Sequence, residues 1–125
     1  DDYIYIFKII GENKTCRMLS AKMEIEKKRL GKKNQDLPQI NHSNNDSEYL
    51  YIGRSQKLRN RIRQHLGLKY RGTYAMHMKS WSTSLNEEVA IYYFRLENYD
   101  NILVQTVENS LWETLKPCFG RKGEK

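Results

Sequence analysis

Long apolar runs are missing from this sequence. No stretch approaches the roughly 20 apolar residues that a helix needs to cross a bilayer. A membrane partner is therefore not expected. No charged leader, apolar segment and cleavage site stand at the start, so a cytoplasmic location is the expectation. Cysteine is scarce. Cys16 and Cys118 are alone and show no metal-ligand spacing, which argues against a zinc site and a disulfide framework. No internal repeat is visible, so a solenoid is excluded. Acidic residues are also short: 15 Asp and Glu face 22 Lys and Arg, for a net charge of +7. An excess of that size favours a polyanionic partner, usually nucleic acid.

The 125 residues suffice for one domain, 1–125, with a modest core. Residues 2–10 read as a central strand, because Tyr3, Tyr5, Phe7 and Ile9 load one face and Ile4, Ile6 and Ile10 the other. Residues 17–33 read as a basic helix anchored by Leu19, Met23 and Leu30. Its apolar face is thin, which places it at the edge of the core or on a partner. Residues 34–47 read as a polar, mobile loop. Residues 48–53 form a second strand. Ser55 caps a helix over 56–66 whose buried stripe is Leu58, Ile62 and Leu66, with Gly67 closing it. Residues 73–81 read as a short helix and 88–96 as a third strand. Asp100 or Asn101 caps a last helix with an inward stripe of Val104, Val107, Leu111 and Leu115, and Pro117 stops it. The fold class expected is α/β (α+β): a small three-stranded sheet, mixed or antiparallel, flanked by helices.

Chemistry gathers at Tyr51, Arg61 and His65. Arg61 and His65 are one turn apart and share a helix face. Tyr51 ends the strand that feeds that helix. An arginine fork can hold phosphate oxygens, and a phenol or imidazole can position or deprotonate a water. Glu108 lies beside the buried stripe of the last helix, where a carboxylate can hold a hard divalent cation. Taken singly, these are as readily surface or packing residues.

Their order is more informative. Tyr3-Ile4-Tyr5-Ile6-Phe7-Lys8, then Tyr51-Ile52-Gly53, then Ser55 to His65, then Glu108 to Pro117 together resemble the GIY-YIG nucleases. The resemblance implies a small mixed fold, one Mg²⁺ or Mn²⁺ ion per site, no small-molecule cofactor, and hydrolysis of DNA phosphodiester bonds in a restriction or mobile-element setting. It implies Tyr5, Tyr51, Arg61, His65 and Glu108 as catalytic residues. Glu108 would hold the metal, Arg61 would stabilise charge on the phosphate, and Tyr5 or Tyr51 would orient water, helped by His65. The alternative is a DNA-binding module that kept the fold without cutting. A homo-oligomer is compatible with both readings and implied by neither.

Three positions depart from the family pattern. Tyr3 replaces the first glycine. Gly120 stands where an Asn often follows the Lys-Pro segment, which removes an amide. Tyr5 and Tyr51 are 46 positions apart, so residues 14–46 are a helical and polar insertion where a short hairpin is usual. Lys27, Lys28 and Arg29 on that insertion are expected DNA contacts. Arg54, Lys57, Arg59 and Arg63 are expected phosphate contacts around the catalytic helix, as are Lys69, Arg71 and Lys79 beyond it.

Overall fold

The computed structural model describes residues 2–10, 16–31, 37–67, 76, 78 and 88–123. Its elements are strand β1 (Asp2–Ile10), helix α1 (Arg17–Leu30), strand β2 (Tyr49–Ser55), helix α2 (Leu58–Leu66), strand β3 (Glu88–Leu96) and helix α3 (Asn101–Leu115). The three strands form one sheet in the order β2-β1-β3, antiparallel throughout. β1 is central because its apolar residues load both faces: Ile4, Tyr5, Phe7 and Ile9 are all buried. Phe7 pairs with Tyr51, but Lys8 pairs with Tyr49, so Leu50 is the extra residue of a bulge. Leu50 and Tyr51 are consecutive, and both belong to the main core.

That core joins Tyr5, Phe7 and Ile9 to Leu19 and Met23 of α1, to Leu50, Tyr51 and Phe119, and to Met76 and Met78. Burying a side chain such as Leu19 or Met23 contributes about 1.5–3 kcal/mol. The insertion helix is therefore part of the core, and its thin apolar face understated its packing. It ends at Leu30, and Lys32 and Lys33 lie outside the described residues.

The mobile loop expected over 34–47 is corrected for its described part, 37–47. Leu37 and Asn41 are buried, and residues His42–Asn44 make a turn of 3-10 helix. Ile40 bridges to Phe119, and the N–H groups of Asn41 and Gly120 donate to the carbonyls of Cys118 and Gln39. The Asn41 amide donates to the carbonyls of Pro117 and Gly120 at 3.0 and 2.8 Å. Polar composition marked a loop here, yet its amides are spent on the backbone that follows α3.

β2 runs two residues past Gly53, and α2 starts at Leu58 rather than 56. Ser55 does not cap α2. Its hydroxyl accepts from the Lys57 N–H at 2.9 Å and shapes the turn before the helix. Leu58, Ile62 and Leu66 pack on the core half-buried, and Gly67 closes the helix as expected. Asp100 caps α3, accepting from the N–H groups of Ile102 and Leu103. Val104 is buried, whereas Val107, Leu111 and Leu115 are half-buried. Helix α3 packs along β2. Apart from Met76 and Met78, the helix expected over 73–81 lies outside the described residues.

Candidate active site

β1 carries Tyr5 and β2 carries Tyr51, and the two rings stack nearly parallel, 6.3 Å apart at 8°. His65, fully buried on α2, fills the space beside them, with its ring centroid 4.2 Å from that of Tyr51 and 5.5 Å from that of Tyr5. Gly53 pairs with Tyr5 across the strands. A Cβ at Gly53 would stand 2.4 Å from the Tyr5 hydroxyl, so this glycine makes room for the phenol. β1 and β2 thus meet as one layer of rings.

The hydrogen bonds fix how the ring nitrogens are used. The Met76 N–H donates to His65 Nδ1 at 3.1 Å. That nitrogen is an acceptor, so the neutral imidazole carries its proton on Nε2. Nε2 therefore donates to the Tyr5 hydroxyl oxygen, 2.9 Å away. Arg61 Nε–H donates to the same oxygen at 3.3 Å. One phenol oxygen receives two donors, one of them cationic, an arrangement that stabilises negative charge on it. Arg61 is buried, which lowers its pKa. The Tyr5 and Tyr51 phenols act against that through charge and hydrogen bonding and leave it raised overall. Its guanidinium stays charged, and Nη1 donates to Gln64 at 2.8 Å.

Arg61 is also the exit from this layer. It lines an open cleft with Lys57, Asn60, Gln64, Arg54 and Asn101. The buried phenols sit behind it.

Glu108 belongs to a neighbouring arrangement. It is 1% exposed on α3, and its carboxylate accepts from the Gln105 amide at 2.7 Å. Gln105 in turn accepts from Arg54 at 3.3 Å. Arg54, expected as a phosphate contact, lines the cleft but is tied down on its protein side. It is buried and donates to the Asn101 carbonyl, the Asn101 side chain and Gln105, with Asp2 at 3.6 Å. It pins the first turns of α3 to β2, and it reaches the cleft wall only from behind these bonds.

A buried carboxylate is costly unless a cation or strong donors neutralise it. Mg²⁺ takes oxygen ligands and keeps several waters, so one carboxylate is a sufficient protein ligand. Among the described residues no group of three or more His, Cys, Asp and Glu forms a cage. Glu108 would be the carboxylate ligand of such an ion.

The remaining expected contacts divide. Lys57, Arg59 and Arg63 are exposed on and just before α2. On α1, Lys28 is exposed, whereas Lys27 is partly buried and its pKa is lowered by that burial. Arg29 is held by Glu26 through bonds of 2.6 and 3.1 Å. Lys69, Arg71 and Lys79 lie outside the described residues. Sequence reasoning missed Gln64, Gln105, Asn101 and Asn41. Gln64 had a signal, three positions after Arg61 on the same helix face. The others act through contacts between distant segments.

Gly120 has its own reason. Its φ is +91°, and a Cβ there would stand 2.8 Å from Cε2 of the buried Tyr51 ring. Tyr51 also packs against Tyr5 and His65, at 6.3 and 4.2 Å between ring centroids, which limits how far its ring can give way. The amide expected at this position is absent because any side chain would strike the phenol layer. Gly120→Asn should therefore lower stability by about 1–3 kcal/mol, the usual cost of overpacking, and reduce rather than restore activity. Urea denaturation read against the natural chain checks the first part, and an unchanged midpoint would remove this explanation of the glycine.

Comparison with known proteins adds one match. The family described as the GIY-YIG catalytic domain matches residues 40–122. No curated protein and no solved structure matches the chain. The matched span holds Tyr51, Arg61, His65 and Glu108 and begins after β1, so Tyr5 lies outside it and joins the site through the sheet pairing and its bonds to His65 and Arg61. No helix among the described residues is long and apolar enough to cross a membrane. The match spans more than half of the chain and lies on an antiparallel three-stranded sheet with its helices, so the chain belongs to the GIY-YIG family, whose catalytic domain is that of a DNA nuclease.

Proposed function

We propose that this domain is a divalent-metal-dependent endonuclease that hydrolyses DNA phosphodiester bonds, as a restriction or mobile-element enzyme would. The observation that carries this reading is the Tyr5 oxygen held between His65 and Arg61 at the back of a basic cleft. A retired binding module has no use for a buried guanidinium that bonds a phenol and lines the cleft at once.

Lys57, Arg59 and Arg63 hold the DNA backbone and set its position without reading bases. Arg61 meets the phosphate at the cleft and balances the charge that grows on it as water adds. One of the two phenols, having lost its own proton to solvent, orients the attacking water as the phenolate and takes its proton. Tyr5 is the better placed, since its oxygen already has two donors that stabilise the anion. Both ring nitrogens of His65 are engaged, so it acts through Tyr5 as a positioning residue. Glu108 would hold one Mg²⁺ or Mn²⁺ ion, which would supply Lewis-acid stabilisation of negative charge. The new bond joins the water oxygen to phosphorus, and the bond from phosphorus to the leaving sugar oxygen breaks.

Conversion of supercoiled plasmid with Mg²⁺, with Mn²⁺ and with EDTA tests the reading. Cutting that requires the metal is the expected result. Binding without cutting under all three conditions would hand the site to the binding-module reading.

A further inference from the structure

Tyr3 stands where the family has a glycine, and the mechanism above makes no use of its ring. Tyr3 lies on the same face of β1 as Tyr5, two positions and so about 7 Å along the strand. Its ring meets that of Tyr93 at 6.5 Å and 57°. Tyr93 sits on β3 directly opposite Tyr5 and is 61% exposed. The two rings line an open groove with Lys57, Arg59 and Asn60. Lys57 and Asn60 also line the Arg61 cleft, so the groove and the cleft are one continuous surface.

The chemistry of this groove is an aromatic face bordered by cations and an amide. Cations and amides hold phosphates, and aromatic faces hold bases by stacking. In a duplex both faces of each base are covered by its neighbours. An exposed phenol ring has no face to stack on there, whereas an unpaired base offers one. We propose that the Tyr3–Tyr93 groove binds an unpaired nucleobase of the DNA next to the phosphate held at Arg61. The substrate class that follows is DNA with a single-stranded segment at the cut, such as a tail, flap or junction. The place of the groove beside the cut rests on the nuclease reading, whereas its binding of a base does not.

Fluorescence anisotropy in EDTA separates the two, because nothing is cut. Three probes are compared: a blunt duplex, the same duplex with a single-stranded tail, and that duplex with an abasic tail. The natural chain should bind the base-bearing tail more tightly than the abasic tail, although the phosphates are the same. Tyr93→Ala should weaken binding of the base-bearing tail roughly tenfold, the size of one lost base–aromatic stack. It should leave the blunt duplex and the salt dependence unchanged, since no charge is removed. Tyr93→Phe keeps the stacking ring and should match the natural chain. Equal affinity of Tyr93→Ala and the natural chain for the base-bearing tail would overturn the proposal. So would an equal loss on all three probes. A chain that cuts neither plasmid nor the tailed duplex with metal, yet shows the tail preference, would retain the groove and lose the nuclease reading.

Discussion

Arg61→Lys should cut DNA at least a hundredfold more slowly than the natural chain, about 2.7 kcal/mol of lost transition-state stabilisation. The size follows from the number of tasks one guanidinium performs. It donates through Nε to Tyr5 and through Nη1 to Gln64, and it lines the cleft where the phosphate binds. A lysine keeps the charge but has one nitrogen on a flexible stem, and it cannot reproduce a planar fork. It would serve the phosphate or the phenol, not both in one geometry. Affinity for DNA in EDTA should change much less, because exposed Lys57, Arg59 and Arg63 remain. Single-turnover cleavage alongside binding checks both halves. Cleavage within tenfold of the natural chain would remove Arg61 from the transition state.

Glu108→Gln should abolish cutting with Mg²⁺ and Mn²⁺ while leaving the metal-free fold intact. The amide has nearly the same shape and can still accept from Gln105. It removes a charge from a site that is almost wholly enclosed. Burying a charge is costly, so the variant's melting temperature without metal should hold or rise. The stronger readout is metal linkage. A bound ion stabilises the folded state in proportion to the logarithm of its concentration above Kd. Millimolar Mg²⁺ should raise the melting temperature of the natural chain and leave the variant's unmoved. An equal rise in both proteins would place the ion elsewhere, whatever the variant's activity.

Periodicity made most of the scaffold legible. β1 and β3 occupy the spans their apolar loading predicts, 2–10 and 88–96, because strand alternation is a local property. The stop of α3 before Pro117 and its Asp100 cap were readable for the same reason. Segment order pointed to all five catalytic candidates, and four of them, Tyr5, Tyr51, Arg61 and His65, meet in one layer although Tyr5 and His65 are 60 positions apart. What stayed hidden depends on pairs of distant segments. Arg54 looked like another surface cation, since nothing local shows that Asn101 and Gln105 will enclose it. The stretch around Asn41 looked like free loop, because its amide partners lie beyond α3. Gly120 looked like a loss until the Tyr51 ring was found against it.

The central place of β1 bears on how the chain reaches this state. β1 makes no short hairpin with either neighbour: its partners in β2 begin about forty positions later, and those in β3 later still. Closing a loop that long costs about 2 kcal/mol more entropy than closing a four-residue turn. Assembly of the sheet therefore waits on distant encounters, which slows folding relative to a hairpin-linked sheet of the same size. Tyr5, the phenol proposed as the base, is seated only when the sheet closes, so gain of activity on refolding should coincide with completion of the fold and not precede it.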